Sequence, residues 1–305
     1  MSDKLQSQKF MPLAISYIES QIAEIRLQFY LLRQLHKHGG QSNEIKESVH
    51  ILRTSARRVV SIIRHIRYLS QNQSSLDQTF NFCRKILHKT NKFRDISVFE
   101  EIIANAASPD ISIPMEASAI RSAEIPVKEL LDQKYFLEYG KLKKNIFTSS
   151  GSGSFKTIDN ELKLILKRRQ QINLPLAEAA SSVYFQLAAR IISLVEDDVD
   201  LHDVDLHKVR IAYKELRYLL ELLEKNEFDT QSVLSHLKSV QDNLGKWHDV
   251  KMLLIFLTKQ PESDKYNIMK QYLSSQESDT RITSINRTEE LNHEWFRQTY
   301  NQIFR

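Results

Sequence analysis

A histidine followed by basic residues three and seven positions later, on a stretch that reads as helix, is a spacing suited to a row of anions. This chain carries it twice. In the first half, Arg53, Arg57 and Arg64 fall within roughly 60° of His50 on a wheel turning about 100° per residue, with Arg58 flanking them. Leu52, Ala56, Val59, Ile62, Ile63 and Ile66 fall on the opposite side. In the second half, His207, Arg210, Lys214 and Arg217 share a face, with Tyr218 close by and Glu221 among them. Val209, Ala212, Leu216, Leu219, Leu220 and Leu223 form that helix's apolar back.

The chemistry of such a face suits phosphate. Arginine presents a planar fork of donors that pairs two phosphate oxygens at once. Spacings of three, four and seven keep successive forks on one line, and a linear polyanion offers a regular row of charges to meet them. Histidine can donate to phosphate and gains charge beside it. Four like charges on one face cost helix stability unless something anionic answers them. One amphipathic helix with a basic side is ordinarily just solvated; two with the same stripe in the same register favour a ligand. Arg84, Lys85, His88, Lys92 and Arg94 add cations in the first half, and Lys238, Lys246 and His248 do so in the second. The runs Lys141, Lys143, Lys144 and Lys163, Lys167, Arg168, Arg169 read as solvated surface.

Long helices must position these side chains. The 305 residues contain only 6 Gly and 6 Pro, so turns are few and elements long, and the abundance of Leu, Ile, Gln, Glu, Lys and Arg makes those elements helical. The expected fold is all-α. Helices are predicted over 11–38, ended by Gly39-Gly40, over 42–70 with Ser42 as cap, and over 76–106 after a polar turn at 71–75. Residues 108–126 read as irregular, 127–147 as helix, 149–154 as a flexible Ser/Gly linker, and 157–171 as a basic helix. A composition of 41% hydrophobic and 27% charged residues excludes disorder, and no stretch of about 18 apolar residues exists to span a membrane. The single cysteine, Cys83, rules out an internal disulfide and reads as a small core residue suited to a reducing cytoplasm. The start of the chain lacks a signal-peptide core, and the expected location is the cytoplasm. A net charge of +5 permits an anionic partner without demanding one.

The pattern then restarts. Pro175-Leu176-Ala177 opens a helix as Pro12-Leu13-Ala14 does, His207 begins a helix as His50 sits early in its own, and Trp247-His248-Asp249 follows as Phe93-Arg94-Asp95 does. Three anchors in the same order predict an internal duplication. The expected architecture is two pseudo-symmetric four-helix bundles of long antiparallel helices, residues 1–172 and 173–305.

These residues resemble the CHAD family, named for conserved histidines in an α-helical domain. Its motif looks like a histidine, arginine three on, a basic residue at seven, often another at eight, and arginine at ten. His207, Arg210, Lys214 and Arg217 match closely; His50, Arg53, Arg57 and Arg58 match in the first half. The second motif pairs a Gln…Leu-Gly turn with a downstream aspartate, matched by Gln241, Leu244, Gly245 and Asp249, and more loosely by Lys92 to Ile96. Val60 stands where the tenth-position arginine is expected, Glu215 where a second basic residue is common, and Thr90-Asn91 where the Leu-Gly pair would be. Many relatives carry a triphosphatase domain with alternating glutamates; no Glu-x-Glu-x-Lys occurs here. The resemblance implies binding of inorganic polyphosphate at a basic surface between the halves, and association with polyphosphate granules. It assigns no cofactor, metal or catalytic residue, so an enzyme is not expected.

Other chemistries fit less well. Glu47…His50 and Glu290…His293 have the Glu-x-x-His spacing of di-iron bundles, but the arginines beside His50 would repel a cation. The pairs His248-Asp249 and His202-Asp203 could suggest a metal phosphohydrolase, yet a carboxylate cluster to hold the ion is wanting. RNA is the closer rival, although readers of single strands interleave exposed aromatics for base stacking and Tyr218 is the only aromatic on either cationic face.

Overall fold

The structure, a computed structural model, describes residues 8–69, 76–106, 114–147, 151–167, 174–196 and 203–305. These form α1 (Phe10–His38), α2 (Ser42–Leu69), α3 (Asp77–Lys89), α4 (Asn91–Ala106), α5 (Pro114–Phe147), α6 (Gly151–Lys167), α7 (Leu176–Glu196), α8 (Asp203–Glu224), α9 (Gln231–Thr258), a 3-10 turn (Ser263–Tyr266), α10 (Asn267–Glu289) and α11 (His293–Phe304). The fold is all-α. No helix among the described residues is long and apolar enough to cross a membrane.

The apolar backs predicted for the two motif helices are where the core lies. Leu52, Ala56, Val59, Ile62, Ile63 and Ile66 of α2 are buried, as are Val209, Ala212, Leu216, Leu219, Leu220 and Leu223 of α8. Each buried Leu, Val or Ile among them contributes about 1.5–3 kcal/mol by leaving water. The first helix ends as its glycines predict: Gly39 adopts φ 69°, and the amides of Gly39 and Gly40 both donate to the Leu35 carbonyl.

Helices pack in the same neighbour order in both halves. The first half runs α1 on α2, α2 on α3, α4 on α5; the second runs α7 on α8, α8 on α9, α9 on α10. Across the middle α1 packs against α7, α2 against α8, α4 against α9 and α5 against α10. The helix entries are tied by a short antiparallel bridge, in which the Phe10 amide donates to the Leu174 carbonyl and the Leu176 amide to that of Gln8. Buried side chains from Phe10 to Ile303 belong to one continuous apolar cluster, so the chain has a single shared core among the described residues.

Four expectations need correcting. The helix predicted over 76–106 is broken at Thr90 into α3 and α4. The stretch from Pro114 to Pro126, read as irregular, is helical and continues through Pro126, because Ile120, Ala123, Val127 and Leu131 bury one face of α5 and packing overrides propensity. Residues 151–154 of the expected linker open α6, which is anchored by buried Ile158 and Leu162 and by Phe155 against Phe29 and Phe82; residues 148–150 lie outside the described ones. His207 lies one turn inside α8, which begins at Asp203.

Candidate anion site

The site forms where α2 and α8 face each other and α4 and α9 close the same end. α2 brings Arg57, α4 brings Arg94 and Asp95, α8 brings His207, Arg210 and Lys214, and α9 brings His248 and Asp249. A cleft of about 400 Å³ opens beside them, lined by His50, Arg53, Arg57, Arg94 and Asp249 among others.

Within this cluster the charges divide into bound and unbound. Arg94 is bound: its two terminal nitrogens donate to the two carboxylate oxygens of Asp249 at 2.9 and 2.8 Å, and one reaches Asp95 at 3.4 Å. Burial works against both charges, but the paired contacts hold Arg94 above and Asp249 below their ordinary values. Asp95 is held above its usual range, since its burial outweighs the help of Arg94.

Arg57, Arg210 and Lys214 have no hydrogen-bond or ion-pair partner among the described residues, and the Nε of Arg210 is buried without an acceptor. Burial, together with mutual repulsion, disfavours their charged forms. Arg210 is lowered to about 10 by desolvation, with Arg94 and Arg57 adding to it. Lys214 is lowered to about 6 by desolvation and then by Arg210, Arg57 and Arg94. Arg57 is lowered by desolvation and by Arg94. The rings of His207 and His248 lie 5.1 Å apart. His248 is pushed down to about 4 by burial and Arg210, and His207 is lowered by burial, Arg210 and Lys214. Half-buried cations clustered without acceptors suit an anionic ligand.

The open cationic front expected on α2 needs correcting. Arg53 is 3% exposed. It donates to the Leu87 carbonyl at 2.8 Å, the Thr90 hydroxyl at 2.6 Å and the Asn91 side-chain oxygen at 2.8 Å, so it caps α3 and braces the break before α4. Arg58 pairs with Glu221 at 2.9 Å, and Arg64 pairs with Glu215, which also accepts from Arg190 at 3.2 Å. The anionic answer to the α2 stripe is thus supplied in part by α8. Arg217 is also occupied, donating to Gln241 at 2.8 Å and meeting Glu221 at 3.1 Å. Val60, which takes the tenth-position place in α2, is buried. His50 lies exposed at the cleft. Arg84, His88, Lys92, Lys238 and Lys246 are exposed, and no described contact joins them to the cluster.

The capping role has a direct consequence. Arg53→Met keeps the apolar stem and removes three donated hydrogen bonds, so stability should fall by about 2–4 kcal/mol. An unchanged urea midpoint would show that Arg53 does not hold the α3–α4 junction.

Sequence reasoning placed Glu221 on the cationic face of α8 but missed the other acceptors. Thr90, Asn91, Glu215 and Glu221 decide which cations are free, yet Thr90 and Asn91 look like an ordinary helix end and Glu215 like a departure from a motif. One signal was available: Thr90 and Asn91 stand five and four residues before Asp95, as Leu244 and Gly245 stand before Asp249.

Residues 29–258 match the profile of the CHAD domain. The match begins within α1 and ends with α9, so it spans every element that contributes to the cluster. No curated protein matches the sequence. Among solved structures, the CHAD domain from the plant Ricinus communis is similar at 16% identity with a TM-score of 0.71, over 94% of this chain and 92% of that one. PptA from Streptomyces chartreusis is similar at 16% identity and a TM-score of 0.52, over 96% of this chain and all of that one. At such identity both likenesses concern the fold.

Proposed function

This chain belongs to the CHAD domain family, and from that premise we propose that it binds inorganic polyphosphate at the α2–α8 crossing. The observation that carries the reading is the convergence of Arg57, Arg210 and Lys214, cations partly removed from water with no acceptor among the described residues. A linear polyanion supplies acceptors to all three at once, and the cleft beside them can take further phosphates of the same chain. His207 and His248 stand beside Arg210 and would gain charge as the anion arrives.

RNA offers the same backbone charge, but the site gives its bases little to stack on. Tyr218 is 4% exposed and lies under Arg217, 5.2 Å from it, and Phe93 is buried. The reading also makes the protein a binder rather than a catalyst. Both oxygens of Asp249 are engaged by Arg94, and no group of three or more His, Cys, Asp or Glu able to hold a metal ion occurs among the described residues. A cytoplasmic protein associated with polyphosphate granules is the cellular form of this proposal.

Titration with long-chain polyphosphate, orthophosphate and single-stranded RNA, at low and physiological salt, tests it. Polyphosphate should bind tightest. Its log affinity should fall linearly with log salt, with a slope of about −2 to −3 if three or four phosphates are neutralised, extending to polyphosphate the rule established for nucleic acids. RNA competing equally per phosphate would transfer the site to nucleic acid. Release of orthophosphate from polyphosphate, lost in Asp249→Asn, would make the protein a hydrolase.

A further inference from the structure

The two motif helices present a histidine, an arginine three on and a basic residue seven on in the same register, His50, Arg53 and Arg57 on α2 and His207, Arg210 and Lys214 on α8. Their second members meet opposite surroundings. Arg53 lies on Thr90 and Asn91, which together with the Leu87 carbonyl take up both of its terminal nitrogens. Arg210 lies over Gly245. A Cβ placed on that glycine would be 4.0 Å from the arginine's terminal nitrogen, and no described residue accepts a hydrogen bond from it. The two contact points occupy the same place in their halves, four residues before Asp95 and Asp249. The helices respond accordingly: α9 passes Leu244-Gly245 unbroken, whereas the first half breaks at Thr90 and gives Arg53 a carbonyl to cap.

We infer that the anion seat is one-sided: Arg210, Lys214 and His207 of the second half supply it, helped by Arg57, while Thr90 and Asn91 hold Arg53 of the first half out of it. Thr90 and Asn91 are therefore specificity-determining residues that set how many arginines the polyanion meets. The inference rests on the polyphosphate reading. Its own content is the lock on Arg53, which exists whether or not polyphosphate is the ligand. Arg53 lines the same cleft as Arg57 and Arg94, and Asn91 is the partner of one of its terminal nitrogens, so removing Asn91 frees a donor within that lining.

The test combines arginine labelling with binding. The wild-type protein is treated with phenylglyoxal and the modified arginines are located by mass spectrometry, with and without long-chain polyphosphate. Arg57 and Arg210 should react and be protected by polyphosphate; Arg53 should resist in both conditions. Asn91→Ala should make Arg53 reactive, and polyphosphate should then protect it and bind roughly ten- to a hundredfold more tightly, the worth of one charge-assisted hydrogen bond. Thr90→Val with Asn91→Ala should extend both effects; if that double variant fails to fold, the single variant carries the decision. Arg53 reacting as fast as Arg210 in the wild-type protein would overturn the lock. A reactive Arg53 in Asn91→Ala with unchanged affinity would overturn its control of the seat. If the wild-type protein binds no polyphosphate, the proposed function falls, and the labelling of Arg53 alone still decides the lock.

Discussion

Reversing Arg57 and Arg210 together to glutamate should abolish polyphosphate binding while leaving the protein folded. These side chains come from different halves of the chain and reach one place, where neither has an acceptor of its own. A hydrogen bond to a charged group is worth about 1.5–3 kcal/mol, so losing two removes about 3–6 kcal/mol, or two to four orders of magnitude in Kd. Reversal adds repulsion, placing the loss at the upper end. Stability should suffer little, because no described hydrogen bond or ion pair is broken; a circular dichroism spectrum like that of the wild type is expected. The same reversal at Lys238 and Lys246, exposed on α9 with no described contact to the cluster, should change affinity only a few-fold. Near-normal binding by the Arg57/Arg210 variant would place the ligand elsewhere. Arg53→Glu would be a poor probe of the same idea, since it would break the α3–α4 cap and confuse unfolding with lost affinity.

The second large effect is on pH. Lys214 sits at about 6 in the free protein, pressed down by burial and by Arg210, Arg57 and Arg94, with Asp249 opposing. At pH 7.5 its amine is therefore mostly neutral. A bound polyanion favours the charged form and raises that value, so binding takes up close to one proton. The sign follows: affinity is greatest when Lys214 is already protonated and is lost as pH rises from the free value towards the bound one. Between about pH 6.5 and 9 the fall should approach tenfold per unit. His248 near 4 and His207, also lowered, contribute further uptake on the acidic side, both facing Arg210. Arg210, at about 10, stays charged throughout this window. Calorimetry in two buffers of different ionisation enthalpy should show heats that differ by nearly one proton's worth, and Lys214→Met should remove most of that difference. Equal heats in both buffers for the wild-type protein would mean that Lys214 is charged in the free state or untouched by the ligand.

Much of this was legible in the residues themselves. Few glycines and prolines with helix-forming composition meant long helices, because turns need one and helices reject both. The apolar backs of α2 and α8 followed from periodicity, since every residue placed on them is buried. The motif spacing pointed to the CHAD family, whose profile covers residues 29–258. What periodicity could not see was α5 running back through Pro126 to Pro114, where a buried face outweighs poor local propensity.

The sequence by itself determined which side chains could form cationic stripes, because a wheel depends only on the rise and turn of one helix. Only the tertiary structure decided which of those cations are free. Arg58 and Arg64 of α2 are answered by Glu221 and Glu215 of α8, more than 150 residues away, and Arg94 by Asp249 at a similar remove. Arg53 is consumed by a helix end that forms only because the chain breaks at Thr90. Charge on one helix is a local property, but its neutralisation depends on what the neighbouring helix carries at the same height, and that is set by how the two halves of the core pack against each other.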